Sequence, residues 1–429
     1  MNKIRILIIS HNAFSTTNNM GKTLSTLFYG FSKNEIAHLY FHSYDSDLDY
    51  CCTCFQITDF DVIKSIFLRK SCGRIVNALN IGNSPYEVNE IKNKIYKFGR
   101  DHSPLKLLVR DFIWKIGQWK TKTLFNWIES FSPTHIFFAS GYSVFAYDIA
   151  LLISKKYNIP LITYFCDDYF NENIKTHSPF YWIRKKIFRR KVNEVINKST
   201  DLVFISDTMK KEYEKIFNKK GHVIMTPFSN FVVEEKEYKK PILLCYIGNV
   251  LLGRWEVLAK IAKAVNNINR YGNKIIFEIY SENATEKIIK ELNYNGNIYF
   301  KGRLSSQEVK DKILESDILL HVESFKTTFI EKTKHSISTK IADCLASNRP
   351  LLVVGPKGIA SVEYLRENNA AYIIDNENKI EEKLLEYFIE KDIDKTIVKN
   401  AKTLAMRNHD ITRNSQKLRN IFENALKDD

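Results

Sequence analysis

The most constraining feature of this chain is a repeated alternation between short apolar segments and longer segments with helical spacing. Residues 3–10 contain a continuous apolar run of strand length, and a polar loop follows at 11–20. Residues 21–31 then show helical spacing, and 36–41 form a second strand candidate. An apolar run without a polar face is typical of a parallel strand that is buried on both sides. The order strand, loop, helix, strand therefore predicts the start of a doubly wound α/β sheet.

The alternation continues in two series that are separated by a polar segment. Residues 42–64 have no clear period and are predicted to be a loop. Residues 233–240 are polar and charged and precede Pro241, so we predict a linker there. Further strands are predicted in the first series at 134–139, 160–165, 200–206 and 222–226, and in the second at 242–247, 274–280, 297–301, 318–322, 350–354 and 370–374.

The length of the chain predicts two domains. A single hydrophobic core stops growing at roughly 250–300 residues, and the chain has 429. We expect two Rossmann-like domains that face each other across a cleft, one over residues 1–235 and one over 241–400. Residues 401–429 are predicted to form a C-terminal helix that crosses back to the first domain.

The charge of the chain predicts an anionic partner. The formal net charge is +15, and Arg184–Lys191 holds six basic residues in eight. We predict that the helix containing this run contacts an anionic membrane surface. A second basic stretch, 106–122, is interleaved with aromatic residues. Its apolar members follow helical spacing, which predicts core residues with a basic rim. These members are Leu108, Phe112, Ile116 and Trp119.

Cysteine usage and hydropathy favour a cytoplasmic location. Cys166, Cys245 and Cys344 lie in apolar or small-residue runs, which is typical of buried thiols in a reducing compartment. The cysteines within 51–54 lack the spacing and the second ligand pair of a zinc knuckle, so no metal site is expected. Neither a signal peptide nor a transmembrane helix is predicted.

Polar and glycine residues follow four strands of the second series. Because the carboxyl ends of parallel strands meet at one edge of a sheet, these residues predict a ligand site. The helix that begins near Ser338, Thr339 and Lys340 adds free N–H groups and the positive end of its dipole. Arg254 and Lys340 would neutralise a phosphate, and glycines would let it approach the backbone. The strand-end residues are Gly248, Asn249, Gly253, Arg254, Ser281, Glu282, Lys301, Gly302, Arg303, His321 and Glu323.

This second series resembles the donor domain of a known enzyme family. The runs YIGNVLLGRW, FKGRL, HVES and STKIADCLASNRPLLVVG are similar to those of family-four-type retaining glycosyltransferases, which have the GT-B fold. The resemblance covers the C-terminal half well and the N-terminal half loosely. It implies a nucleoside-diphosphate sugar as donor, a glycan or lipid-linked acceptor, retention of configuration, and no obligatory metal or other cofactor.

The family motif contains two acidic residues. Glu323 matches the first acid, and two residues are candidates for the second. Glu323 and Glu331 satisfy the literal E-x7-E spacing, but Glu331 lies in a polar segment. Asp343 matches the second acid by context, and Lys340 precedes it by one turn. The resemblance implies that Glu323 lies near the donor sugar and that Asp343 binds the ribose hydroxyls, as a carboxylate can. Alternatively, Asp343 is a surface acid that pairs with Lys340.

In the first half, residues 11–23 occupy the position of the family's glycine-bearing first loop. Gly21 is therefore a predicted donor contact. The segment ends in Gly-Lys-Thr, as a P-loop does, but Thr16 stands where a P-loop needs its first glycine. A nucleoside triphosphatase stays open as an alternative.

Acceptor activation is predicted at two strand ends of the first half. Asp167 and Asp168 close a buried strand and would orient or deprotonate an acceptor hydroxyl. Alternatively, the pair caps the loop that follows. His11, at the end of the first strand, is a further catalytic candidate.

The sequence thus predicts a glycosyltransferase of bacterial cell-surface polysaccharide synthesis. It would be cytoplasmic and peripheral at the inner face of the membrane, with no nucleic acid partner. Two alternatives stay open: a sugar-nucleotide epimerase on the same fold, and a non-catalytic protein that binds polyanions or membranes.

Overall fold

The computed structural model describes residues 4–15, 19–44, 46–68, 72–76, 103–172, 174, 176–228, 231–232, 234–293 and 297–425. The chain divides into two compact units. One comprises Met1–Met225 together with Thr412–Asp429, and the other comprises Thr226–Ile411.

The described part of the first unit contains an eight-stranded sheet with the order β4-β3-β2-β1-β5-β6-β7-β8. Neighbouring strands are parallel except β3 and β4. All residues of β1 and β2 are buried, as expected of central parallel strands. The strands are β1 (Ile6–Ser10), β2 (Ile36–Tyr40), β3 (Thr53–Gln56), β4 (Arg74–Val76), β5 (His135–Ser140), β6 (Leu161–Phe165), β7 (Asp201–Phe204) and β8 (His222–Val223).

Helices α4 (Lys122–Phe131) and α7 (Asp207–Phe217) each begin after a residue whose side chain accepts a backbone hydrogen bond and end before a residue in the left-handed conformation. Ser206 accepts a hydrogen bond from the Met209 amide at the start of α7, and Asn218 adopts a left-handed conformation at its end. The helices are α1 (Asn19–Leu27), α2 (Asp59–Leu68), α3 (Pro104–Ile116), α4 (Lys122–Phe131), α5 (Val144–Tyr157), α6 (Pro179–Lys198) and α7 (Asp207–Phe217).

The described residues of the second unit form a six-stranded parallel sheet with the order β11-β10-β9-β12-β13-β14. This is the doubly wound order, with its switch point between β9 and β12. The strands are β9 (Ile242–Ile247), β10 (Ile275–Tyr280), β11 (Ile298–Gly302), β12 (Ile318–Val322), β13 (Leu351–Val354) and β14 (Tyr372–Ile374). The helices are α8 (Arg254–Asn269), α9 (Glu286–Leu292), α10 (Ser306–Glu315), α11 (Thr327–Thr333), α12 (Lys340–Ala346), α13 (Ala360–Glu367), α14 (Ile380–Phe388) and α15 (Lys395–Asn408).

The last helix, α16 (Ile411–Ala425), belongs to the first unit from Thr412 onward. Its Phe422 ring packs against Phe31 with a centroid distance of 5.9 Å. Arg419 forms an ion pair with Glu35 at 3.0 Å. Apolar packing and this ion pair together fix the helix to the first unit.

The predicted α/β fold class with two parallel-sheet domains is confirmed. The predicted loop over 42–64 is wrong in its second half, which holds β3 and the start of α2. β3 is short, and its pairing with β2, in which Thr53 is opposite Ala37, fixes its conformation where a local period is lacking. The polar segment around Glu331 is likewise a short helix, α11.

The unit boundary differs from the predicted domain boundary near residues 235–241. Residues 226–240 fall in the second unit because they bond to it. The Val232 amide donates to the Ala346 carbonyl at 2.9 Å, and Lys236 pairs with Asp317 at 2.8 Å. At the other end, the second unit extends beyond residue 400 to Ile411, where His409 accepts a bond from the Phe228 amide through its carbonyl.

The core residues predicted for one basic stretch need correction. On α3, Leu107 and Trp114 are buried, whereas the predicted core residues Phe112 and Ile116 are exposed. The stacking of Trp114 on Phe145, with a centroid distance of 3.6 Å, turns that face of the helix inward. Trp119 is buried as predicted, and Leu108 is half-buried.

The basic run Arg184–Lys191 on α6 is partly neutralised within the fold. Arg184 is buried and pairs with Asp111 at 3.0 Å. Lys191 pairs with Asp148 at 2.8 Å and with Glu194 at 2.7 Å. The run therefore presents fewer uncompensated charges than its sequence suggests.

Candidate functional site

The carboxyl ends of β9 and β12 lie side by side in the second sheet, with Tyr246 opposite Leu320. β9 leads through residues 248–253 into α8, which begins at Arg254. β12 ends at Val322 and is followed directly by Glu323. In open α/β sheets, ligands bind at this edge and at this switch point.

Arg254 and Glu323 form a buried ion pair at this edge. Nη2 of Arg254 donates to both carboxylate oxygens of Glu323 at 3.0 Å, and Nε donates to the Val322 carbonyl at 3.2 Å. The side chains are only 16% and 4% exposed. Burial alone would raise the pKa of Glu323, but hydrogen bonding to His321 and the charges of His321 and Arg254 lower it below its ordinary value. Glu323 is therefore ionised and fixes the guanidinium in one orientation.

His321 and the end of β13 complete this cluster. Nε2 of His321 lies 3.3 Å from Glu323 Oε1 and 3.2 Å from the Ser361 hydroxyl, in the first turn of α13. The Glu323 amide donates to the Val354 carbonyl at 2.9 Å. Both the backbone and the carboxylate of Glu323 are thus held.

The loop between β9 and α8 packs closely on the segment that follows Glu323. Gly253 has a φ of +74°, and a Cβ there would lie 2.5 Å from Ser324 Oγ. At Gly248, a Cβ would lie 2.5 Å from the Tyr246 ring, whose hydroxyl donates to the Asn249 carbonyl at 2.8 Å. The positive φ and the contact with Ser324 require glycine at 253, and a side chain at 248 would displace the Tyr246 ring.

The remaining predicted donor residues occupy two other places in the second unit. Arg303, after β11, pairs with Glu282, after β10, at 2.9 Å, and both are exposed. Ser338 and Thr339 precede α12, where Lys340 is exposed and Asp343 is half-buried. Because α12 leads into β13 of a parallel sheet, its N-terminus points toward the carboxyl edge of the strands.

Both candidates for the second acid lie on short helices. Glu331 lies on α11 and is exposed. Asp343 lies in the first turn of α12, where its charge acts on the buried imidazole of His409 at the end of α15.

In the first unit, Asp167 and Asp168 have different environments. Asp168 is buried; it accepts hydrogen bonds from the Tyr213 hydroxyl at 2.9 Å and from the amide and side chain of Asn171 at 3.1 and 2.9 Å. It therefore caps the loop after β6 and ties that loop to α7. Asp167 is exposed and accepts a hydrogen bond from the Tyr169 hydroxyl at 3.2 Å.

His11 and Gly21 lie around the loop after β1. The His11 carbonyl accepts a bond from the Phe41 amide, and its ring lies 6.0 Å from that of His42. Gly21 is in the first turns of α1, where a Cβ would lie 2.5 Å from the Ala13 carbonyl oxygen. Close packing of the loop on the helix is sufficient to require glycine there.

Three residues around these sites were not predicted from the sequence. Ser361 contacts His321, and Gly355 packs against Glu323, with 3.0 Å between a Cβ built on the glycine and the Glu323 Cβ. Both belong to the GPKG segment after β13 and the helix that follows, so the strand-end rule would have found them. Tyr213, the partner of Asp168, gave no signal because it lies 45 residues away.

Two further properties concern the described residues only. No group of three or more His, Cys, Asp or Glu side chains among them is arranged to hold a metal ion. No helix in that part of the chain is both long enough and apolar enough to cross a bilayer.

Comparisons with known proteins give matches to solved structures alone. No protein-family model matches the chain, and no curated protein matches it. A glycosyltransferase from Rickettsia africae has a TM-score of 0.61 at 14% identity, with all of both chains covered. HepE from Anabaena, in complex with UDP, has a TM-score of 0.59 at 10% identity over 98% of this chain and all of its own. The chain has the GT-B fold. WaaG, a glycosyltransferase involved in lipopolysaccharide biosynthesis, has a TM-score of 0.58 at 11% identity over 97% and 99%.

Identities this low establish the shared GT-B fold and nothing finer. The predicted GT-B fold is confirmed by matches that span nearly the whole chain. The chemistry of the site has to be argued from its own residues.

Proposed function

We propose that this GT-B protein is a glycosyltransferase that uses a nucleoside-diphosphate sugar as donor. The observation that supports this best is the Arg254–Glu323 pair at the switch point of the second sheet. A fixed, buried guanidinium at a sheet edge is suited to an anionic leaving group. HepE, which has the same fold, has been solved with UDP, with UDP and glucose, and with UDP-glucose.

In this proposal, Arg254 stabilises the leaving diphosphate. Its orientation is set by Glu323 and the Val322 carbonyl before any donor arrives, so little reorganisation accompanies the reaction. Glu323 lies near the donor sugar and acts partly through Arg254, while Gly248 and Asn249 line the adjoining loop.

Further donor contacts are proposed at the other two places in the second unit. Ser338, Thr339 and Lys340 would meet phosphate oxygens, and Arg303 would add charge to the same edge. Asp343 would accept hydrogen bonds from the ribose hydroxyls. In the first unit, Gly21 would allow close approach of the donor to the loop after β1.

The acceptor is proposed to be a glycan or a lipid-linked sugar of bacterial surface polysaccharide synthesis, with retention of configuration and without an obligatory metal. Asp167 is the better candidate to orient the acceptor hydroxyl because it is exposed, whereas the carboxylate of Asp168 is occupied by Tyr213 and Asn171. His11 is a second candidate. The enzyme would work in the cytoplasm, at the inner face of the membrane.

The test is sugar transfer and donor hydrolysis by the purified chain with UDP-, GDP- and ADP-sugars. Arg254→Lys keeps a positive charge but loses the guanidinium contact with both carboxylate oxygens of Glu323. We expect the rate of sugar transfer to fall about 10²–10³-fold, as it does when an enzyme loses a hydrogen-bond donor to a developing negative charge. Arg270→Ala is the matched control, because Arg270 is exposed at the opposite end of α8.

Other outcomes would assign another function. Undiminished transfer by Arg254→Lys would remove Arg254 from the site. Conversion of a sugar nucleotide without an acceptor would indicate an epimerase instead. No change in thermal stability with any nucleoside diphosphate would reject the donor site, since a ligand at 100 times its Kd adds about 2.7 kcal/mol.

A further inference from the structure

An exposed row of apolar side chains runs along α3 in the first unit. Leu105, Val109, Phe112 and Ile116 are each between 41% and 61% exposed. Their spacing of four, three and four residues puts them on one face of the helix. The opposite face of α3, which includes Leu107 and Trp114, is buried. The helix is therefore apolar on two sides, and only one side packs into the core.

A second apolar row lies on α6, which packs against α3. Phe180, Ile183 and Ile187 are between 38% and 51% exposed and share one face by the same rule. The ion pair between Asp111 on α3 and Arg184 on α6 joins the two helices at 3.0 Å. The seven exposed residues of the two rows, which we call the α3/α6 apolar face, thus lie on adjacent helices.

Such a face is unusual on a surface in contact with water only. Monomeric proteins rarely expose a large contiguous apolar patch, and a patch with a polar rim usually marks an interaction site. The α3/α6 apolar face has a basic rim. Lys106 and Lys115 lie on either side of the α3 row, and Lys186 and Arg190 border the α6 row.

The acids of both helices are already paired. Asp111 is the one acid of α3 and bonds to Arg184; Glu194 is the one acid of α6 and bonds to Arg190 and Lys191. Although Glu194 neutralises Arg190, each helix carries one acid and several basic residues, so the rim keeps a net positive charge, which attracts an anionic partner.

Three partners can be compared by chemistry. Nucleic acid binding needs stacking rings, but five of the seven residues are aliphatic. A two-fold contact with a second copy would bring the basic rims of both copies together. An anionic lipid surface takes aliphatic and aromatic side chains into its acyl boundary and binds cations at its headgroups.

We propose that the α3/α6 apolar face docks the protein onto an anionic lipid bilayer. Phe112, Ile116 and Ile183 enter the boundary between headgroups and acyl chains, and Lys106, Lys115 and Lys186 contact lipid phosphates. This deepens the proposed peripheral location and extends the contact from the basic run Arg184–Lys191, in which Arg184 is buried, to the apolar rows.

The test is flotation of the purified full chain with vesicles of phosphatidylcholine, alone or mixed with phosphatidylglycerol. We expect binding to the mixed vesicles only, weakened by salt. Phe112→Ser with Ile116→Ser removes two inserted side chains and should lower the partition coefficient at least about tenfold. Tyr271→Ser with Met406→Ser, which removes exposed apolar residues of the second unit, is the matched control and should bind normally.

Thermal unfolding and UDP-induced stabilisation of the same samples check that the fold and the donor site are intact. Normal flotation of Phe112→Ser/Ile116→Ser would overturn the proposal. Loss of a dimer in vesicle-free buffer, or salt-sensitive binding to an oligonucleotide through this face, would assign it to another partner. Absent flotation with intact sugar transfer rejects the docking face alone, whereas absent transfer with normal flotation rejects the proposed function alone.

Discussion

Nη2 of Arg254 donates to both carboxylate oxygens of Glu323, at 3.0 Å each. The two residues are 69 positions apart, and one follows β12 while the other begins α8. Because both side chains are largely buried, neither charge is screened by water, and each depends on the other. The family resemblance assigns Glu323 to the donor sugar. Glu323 therefore also orients Arg254, the residue that we propose to bind the donor phosphate.

Glu323→Gln should weaken both stability and donor use. The amide cannot neutralise the buried guanidinium, and breaking a buried pair costs about 3–5 kcal/mol when one partner is removed, less when a polar isostere stays. We expect a loss of about 1–3 kcal/mol in the free energy of unfolding by urea, together with a higher KM for the donor.

Glu331→Gln is the control for that experiment. Glu331 is exposed on α11, so its substitution should change stability by less than about 0.5 kcal/mol. A large loss of transfer in Glu331→Gln with normal stability would show that the literal E-x7-E spacing, rather than Asp343, identifies the second acid.

Gly253→Ala should destabilise the loop between β9 and α8. The residue has a φ of +74°, which costs an alanine about 1–2 kcal/mol. Its Cβ would also meet Ser324 Oγ and Phe329 at 2.5 and 2.6 Å, which adds an overpacking cost of about 1–3 kcal/mol. Urea unfolding measures the sum.

Gly302→Ala separates the two contributions. Gly302 has a similar φ of +78°, but a Cβ there has no atom within 4 Å. We expect only the backbone cost at this position. Equal losses in the free energy of unfolding of the two variants would mean that the loop moves to accommodate the new Cβ, and that the contact between Gly253 and Ser324 adds no cost.

Substitution of Asp168 should lower the stability of the protein, whereas substitution of the neighbouring Asp167 should lower its activity. Asp168→Ala leaves the buried Tyr213 hydroxyl and the Asn171 amide without their acceptor, and each unsatisfied donor costs about 1–3 kcal/mol. Asp167→Ala should leave stability unchanged and, if Asp167 assists the acceptor hydroxyl, lower kcat about 10²–10⁴-fold. Reduced kcat in Asp168→Ala at normal stability would reverse this assignment.

Acidic pH should destabilise the protein through His409. Burial lowers the pKa of His409 to about 4, against the opposing effects of its bond to the Thr226 carbonyl and the charge of Asp343. Nδ1 donates to that carbonyl, and Nε2 faces the Tyr364 hydroxyl at 2.9 Å. The unfolded chain binds the proton near pH 6.5, before the folded chain does, so stability is complete above that pH and falls as the pH drops toward 4.

The expected loss across this window is about 3 kcal/mol. His409→Gln, which cannot take up the proton, should flatten the dependence of urea unfolding on pH between 6.5 and 4. An unchanged slope in His409→Gln would exclude His409 as the group responsible.

The sequence pattern predicts an element correctly when neighbouring residues determine where that element begins and ends. Strand β12 has the bounds that the sequence predicts, Ile318–Val322, and helix α7, Asp207–Phe217, has local signals at both of its ends. A continuous apolar run defines the strand, and Ser206 and Asn218 define the ends of the helix. β3 was missed because its neighbour β2, rather than its own period, determines its conformation.

Helix α3 shows that periodicity alone does not determine which face of a helix is buried. Residues 105, 109, 112 and 116 form one apolar stripe, and residues 107 and 114 lie on the opposite side. Helical spacing identifies both stripes but cannot determine which one faces the core. The packing of Trp114 on Phe145 decides this, and it depends on a helix 30 residues farther along the chain.

The sequence by itself determined two α/β domains with polar residues at the carboxyl ends of the second sheet, because hydrophobic period and strand-end chemistry are local properties. Tertiary structure alone decided that Arg254 meets Glu323, that Asp168 is a cap while Asp167 is exposed, and that α3 turns Phe112 toward solvent. Each of these depends on which distant segments the strand order brings together, and on burial, which makes a charge depend on its partner.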